Sequence, residues 1–221
     1  MRKAFFLLLL ISLVLSDVTH AQSVNDSINA KPLLFESFLT GAVLMKSGQV
    51  EKAPLNYNTD DQNIVFIKNG KYMVIDDLDK IDTVYLQHKK FVPVNNSMYQ
   101  VVTDNGEVTL LVSYSNRIKP LVATTDHAGS SKKDISQVSN TVTDVYTNKL
   151  YRGNYLVEIK KTYWFKKNDK LYKVSPKKQF VNSFPSQARL AVEKYIADNK
   201  VNFAYEPDLV NLVDYCNEKL K

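Results

Sequence analysis

Asn63-Ile64-Val65-Phe66-Ile67-Lys68-Asn69-Gly70-Lys71-Tyr72-Met73-Val74-Ile75 is the stretch that decides the fold class. Two runs rich in β-branched and aromatic residues flank an Asn-Gly pair. Both turn residues tolerate the positive φ of a type I′ turn, so the stretch reads as a hairpin of strands 63–68 and 71–75. Upstream, runs 42–46 and 50–57 flank Ser47-Gly48 in the same way. Downstream come runs 83–87, 91–94, 99–103 and 108–114, with Asp104-Asn105-Gly106 turning the last two. About eight short strands with no helical crossover between them predict an antiparallel meander, curled or barrel-like, and argue against a parallel sheet.

Beyond the meander, residues 125–143 lose this periodicity and are rich in small and polar residues, which reads as a loop or linker. Strands 155–162 and 163–167 follow, and Asn168-Asp169 introduces a return strand at 171–174. The pattern then changes to a 3.6-residue period. Ser175-Pro176 opens a short helix through Phe184, Pro185 starts the next and Pro207 the last, since proline suits a first helical turn. Ala188, Ala191, Val192, Tyr195 and Ile196 form one apolar stripe, and Leu209, Leu212, Val213, Cys216 and Leu220 form another, so each helix should dock on something. The expected class is α+β: the meander with C-terminal helices packed on it, as one domain over 37–221. The alternative is a β domain at 37–124 and a hairpin-plus-helices unit at 144–221, joined by the linker 125–143.

At the other end, Arg2 and Lys3 precede an apolar run over 5–15, broken only by Ser12, and Thr19-His20-Ala21 supplies the small residues of a cleavage site. This is the pattern of a signal peptide over 1–21, with 22–36 as a loose leader after it. The run is 11 residues, about half of the ~20 that cross a bilayer. No later run approaches that length, so no membrane span is expected. Cys216 is the one cysteine, which excludes an intrachain disulfide. With Gln22 as the first mature residue, a lipoprotein anchor is excluded too. These features place the chain outside the cytoplasm, periplasmic or, as the alternative, secreted. Cys216 lies on an apolar stripe and reads as a buried, inert thiol.

Pro54-Leu55-Asn56-Tyr57-Asn58, Ile64-Val65-Phe66, Val74-Ile75 and Ile81-Asp82-Thr83-Val84 are joined near the other end by Asn202-Phe203, Asp208-Leu209 and Leu212-Val213-Asp214-Tyr215. In these segments the chain resembles exported proteins of unknown function from Bacteroidetes. The resemblance covers most of the mature chain, and its motifs are packing and turn residues. It implies a compartment and a lineage, and no activity.

Catalytic signatures are absent from the sequence. Only His88 and His127 follow the signal peptide, and there is no Gly-x-Ser-x-Gly elbow or His-Glu-x-x-His helix. Asp76, Asp77, Asp79 and Asp82 lack the glycine and terminal Glu of a calcium loop and read as a solvated turn. No cofactor, metal site or catalytic residue is therefore expected. The chain carries a net charge of +6, and the excess of Lys and Arg lies in its second half. Between residues 160 and 178, eight lysines interleave with Tyr163, Trp164, Phe165 and Tyr172, against Asp169 alone. Lysines between stacking aromatics mark a candidate anion- or glycan-binding surface made of Lys160, Lys161, Trp164, Lys166, Lys167 and Lys170. An exported chain seldom meets nucleic acid, so acidic glycan, lipopolysaccharide or an acidic protein is the expected partner. The competing account is a hairpin with aromatics inward and lysines outward that blunt a sheet edge. Asp26-Ser27-Ile28 and Asp82-Thr83-Val84 resemble the short O-glycosylation signal of Bacteroidetes, and Ser27, in the loose leader, is the better candidate. Together these features predict a non-catalytic binding or interaction module of the envelope, with a glycan-acting or other hydrolase using a carboxylate pair as the alternative.

Overall fold

The computed structural model describes residues 32–120, 141–143, 150–152 and 155–219. The expected signal peptide, Ser27, His127 and most of the expected linker lie outside these residues. The strands are β1 (Leu39–Met45), β2 (Val50–Asn58), β3 (Asn63–Lys68), β4 (Lys71–Val74), β5 (Ile81–Leu86), β6 (Lys89–Val94), β7 (Ser97–Thr103) and β8 (Val108–Pro120). Then come β9 (Thr141–Thr143), β10 (Leu150–Arg152), β11 (Tyr155–Lys167) and β12 (Lys170–Lys173), followed by helices α1 (Lys177–Asn182), α2 (Ser186–Asp198) and α3 (Glu206–Lys219). A 3-10 turn, Leu78–Lys80, precedes β5.

Ten strands form one antiparallel sheet in the order β12-β11-β8-β7-β6-β5-β1-β2-β3-β4, and β9 pairs with β10 separately. The α+β class with C-terminal helices is as expected. The sheet does not close, because β4 and β12 end it and do not pair with each other. Turn chemistry explains the hairpins. Asn69 and Gly70 sit at φ 53° and 71° between β3 and β4, and Asn168 and Asp169 at 49° and 57° between β11 and β12. Asn95 and Asn96, at 47° and 63°, turn β6 into β7.

Four sequence expectations need correction. The separate strands 155–162 and 163–167 are one 13-residue strand, β11, paired with β8 from Tyr155↔Pro120 to Lys167↔Val108. No turn residue separates Thr162 from Tyr163, so nothing interrupts the ladder. β8 continues past 114 to Pro120 for the same reason. In the expected linker, Thr141–Thr143 is a strand, stabilised by a partner, Leu150–Arg152, that shows no clear alternation in the sequence. The end of the expected leader is held to β2: Leu34 N–H donates to the Tyr57 carbonyl at 2.9 Å. The Asn56 side chain accepts from Phe35 N–H and donates to the carbonyls of Phe35 and Ser37. Asn56 is buried, so these bonds replace the water that it loses.

Two apolar cores flank the middle of the sheet. One lies inside the meander and contains Tyr57, Ile64, Val84, Phe91, Met98 and Tyr114. The other lies under the helices, where Val192 and Ile196 of α2 and Leu209, Leu212, Val213 and Cys216 of α3 pack on Leu110 and Phe165. Of the two helical stripes read from the sequence, Val192, Ile196, Leu209, Leu212, Val213 and Cys216 are buried, Ala188, Ala191 and Tyr195 are half-buried, and Leu220 lies outside the described residues; the Cys216 thiol is pushed up to about 12 by that burial. Leu110 and Val112 stand two apart on one face of β8 but belong to different cores, so this strand serves both. Val102 and Tyr163 touch both cores. No helix among the described residues is long and apolar enough to cross a membrane.

Candidate functional site

Period-two alternation along β11 sorts the residues expected to bind anions. Trp164, Lys160 and Lys166 share one face, and Lys161, Tyr163, Phe165 and Lys167 share the other, the face that the helices cover. On β12, Lys173 stands opposite Trp164 and Leu171 opposite Lys166, whereas Lys170 stands opposite Lys167. The six expected residues therefore do not form one surface: Lys160, Trp164 and Lys166 lie together, and Lys161, Lys167 and Lys170 lie on the reverse.

Several of the lysines have local partners. Lys161 Nζ lies 3.1 Å from Glu206 of α3, and Lys166 Nζ lies 3.0 Å from Asp169. Lys167 sits 4.5 Å above the Phe184 ring. Lys160 and Lys170 are exposed, as are Lys177 and Lys178 at the start of α1. Among the aromatics, Phe165 is fully buried, and Trp164 is half-buried on the opposite face. Trp164 Nε1 donates to Ser113 Oγ at 2.9 Å, its ring meets Tyr99 edge-on at 5.9 Å, and Lys173 lies 5.2 Å over it.

Around the free edge of β12, these side chains open into a groove of about 590 Å³. Trp164, Leu171, Tyr172 and Lys173 line it from the strands, and Gln179, Asn182 and Ser183 from α1 and its end. Sequence reasoning found Trp164 and the lysines but missed the α1 residues. Gln179, Asn182 and Ser183 carry no signal as a set until the helix folds beside β12.

A second concavity, of about 560 Å³, lies at the far end of the sheet. Val43, Met45, Ala53, Leu55, Phe66 and Ile81 line it from β1, β2, β3 and β5, while Glu51, Lys52, Lys68, Asp76 and Asp77 keep their charges at the exposed rim. Of its lining, Leu55 packs closely on Gly41 of β1, where a Cβ would come within 2.7 Å of Leu55 Cδ1 and of the Tyr85 carbonyl oxygen. This volume and lining suit a compact apolar ligand. Of the acidic turn below it, Asp77 pairs with Lys80 at 2.5 Å, and Asp82 accepts from Thr83 Oγ1 at 2.7 Å. Among the described residues, no three His, Cys, Asp or Glu side chains gather closely enough to hold a metal ion.

No protein-family profile, curated protein or solved structure matches the chain.

Proposed function

We propose that this chain is an exported, non-catalytic binding protein of the cell envelope, periplasmic or released outside the cell, whose ligand is an acidic glycan held in the β12–α1 groove. One observation carries the reading: two aromatic rings, a leucine, a lysine and three amide or hydroxyl side chains line one open groove. Aromatic faces cover the apolar faces of sugar rings, amides and hydroxyls exchange hydrogen bonds with sugar hydroxyls, and the ammonium attracts the acidic substituent. Exposed Lys177 and Lys178 add positive charge at the start of α1, beside Gln179. The likeness to exported proteins of Bacteroidetes supports the compartment and the lineage. Hydrolysis is the rival, but among the described residues no Asp or Glu lines the groove, so a bound glycan there meets no carboxylate pair.

The curled form of the meander belongs to this reading. Met98 N–H of β7 donates to the Gln62 carbonyl in the β2–β3 turn at 2.7 Å, and the Tyr57 hydroxyl of β2 donates to the Met98 carbonyl at 3.0 Å. Three strands separate β2 from β7 in the sheet order, so these bonds support a sheet that wraps back on itself.

Acidic oligosaccharides, neutral oligosaccharides, lipopolysaccharide and acidic protein, tested side by side, separate the possible ligands. Expected is saturable binding to uronate-containing oligosaccharides that weakens as salt rises, since exposed charges are screened over about 8 Å at physiological ionic strength. Lys173→Glu with Gln179→Ala should weaken it about tenfold or more, and should change stability by no more than about 0.5 kcal/mol, since both side chains are exposed. Equal binding of neutral glycans, or no salt-sensitive binding, rejects the acidic-glycan reading. Turnover of any glycan that a single carboxylate substitution abolishes replaces it with the hydrolase.

The apolar cleft favours a second reading, an apolar small-molecule ligand. Ala53→Trp should fill the cleft and abolish saturable binding of an environment-sensitive apolar dye, measured by fluorescence. Dye binding that survives the substitution, or is absent from the unaltered protein, removes this reading.

A further inference from the structure

The apolar cleft at the far end of the sheet differs in chemistry from the β12–α1 groove. Register builds its wall. Leu55 stands opposite Phe66 and Phe66 opposite Met73, and Ala53, two residues before Leu55, shares their face. On the other side of β2, Val43 stands opposite Glu51, which also shares that face, and Ile81 of β5 stands opposite Met45. Apart from Glu51, none of these side chains carries a charge, an N–H or an O–H. The polar side chains of the lining, Glu51, Lys52, Lys68, Asn69, Asp76 and Asp77, are all exposed.

Pockets for polar ligands set a few polar groups inside to fix orientation. Here the side chains inward of the rim offer none. A ligand group that needed a hydrogen bond would lose its water without a replacement from them, which is costly. The part of a ligand held in the cleft is therefore hydrocarbon. Met45 and Met73 add adaptability, because an unbranched thioether chain fills irregular gaps and follows a ligand of no fixed shape. Met73 is 45% exposed, so the wall is open to a ligand, and covering it removes apolar surface from water. The rim carries both signs of charge, with Lys52 and Lys68 beside Glu51, Asp76 and Asp77.

We propose that the cleft holds the medium-length hydrocarbon chain of a single-chain amphiphile and leaves the polar headgroup at the exposed rim. This rests on the reading of the cleft as a small-molecule site and names the class of its ligand. The chain supplies the affinity. Because the rim is of mixed sign and solvated, it favours neither an anionic nor a cationic headgroup strongly.

Methionine methyl signals locate the ligand. The chain has four methionines, of which Met45 and Met73 line the cleft and Met98 is buried in the meander core. Protein labelled at these methyls is titrated with n-hexanol, n-octanol and n-decanol, and then with decanoate and decylamine. Expected are saturable shifts of Met45 and Met73 with Met98 unmoved, and an affinity for the alcohols that rises about fourfold per added CH₂. Decanoate and decylamine should bind within about fivefold of decanol. Met73→Gln, at an exposed position, should weaken decanol binding severalfold and leave the Met98 signal in place. An affinity that does not rise along the alcohols, shifts that spread equally to Met98, or unchanged decanol binding in Met73→Gln overturns the proposal. If the apolar dye still binds in that case, the cleft remains an apolar site for another ligand; if neither dye nor alcohols bind, both readings of it fall.

Discussion

Replacing Phe165 with alanine is expected to remove about 3–5 kcal/mol of stability, the usual cost of deleting a fully buried phenyl ring. Phe165 is 0% exposed, stacks on Tyr172 at 5.1 Å and meets the Phe180 edge at 4.7 Å. It also stands opposite Leu110, which packs in the same core. The ring is thus where the sheet, β12 and α1 converge, and the surrounding strands leave little room to collapse into the space. A domain of this size has about 5–15 kcal/mol in total, so the variant should be near the limit of folding at physiological temperature. Urea denaturation followed by circular dichroism checks this, with a lower midpoint and an unchanged slope expected. A cost below about 1 kcal/mol would show that the helices are not anchored through Phe165. The same experiment on the unaltered protein bears on the domain count. Because β8 carries residues of both cores, one transition is expected, and two would favour division at 125–143.

Asn217→Ala is the second large effect. The Asn217 amide accepts from the Val108 N–H at 2.8 Å and donates to the Val108 carbonyl at 2.9 Å, which ties α3 to the start of β8. Both residues are buried. The amide fits because position 106 is glycine: a Cβ there would collide with the Asn217 side chain. Alanine leaves two backbone groups without partners, at about 1–3 kcal/mol each, for a total expected loss of about 2–6 kcal/mol. Hydrogen exchange offers an independent readout, since the Val108 amide should exchange much faster than the amides of the β8–β11 ladder. An unchanged rate would mean that water replaces the side chain at no cost.

Much of this fold is legible because its signals are local. Asn69-Gly70 sets a type I′ turn through the φ preferences of two adjacent residues, and the flanking strands follow from a two-residue period. Pro176, Pro185 and Pro207 mark helix starts at 177, 186 and 206 to within a residue, because proline acts on its own backbone. The apolar stripes of α2 and α3 likewise foretell which faces are buried, although not what they are buried against. The site is less legible. Lys161 and Lys166 read alike in the sequence, yet one faces the helices and Glu206 and the other shares a face with Trp164. That division depends on β11 being a single uninterrupted strand, paired with β8 along its whole length.

Local residue patterns carry most of the elements, the hairpin turns and the face each helix buries, since each rests on contacts within a few residues; β9, β10 and the continuity of β11 do not follow from them. Which side chains meet is set by long-range packing. Gln179 and Asn182 join Trp164 only once α1 lies beside β12, and Glu206 reaches Lys161 across 45 residues of chain once α3 docks on the sheet. These meetings depend on strand register and on how the helices settle over the cores. A one-residue slip would turn every side chain of β11 to the other face, so the chemistry of the site follows from packing that no local stretch encodes.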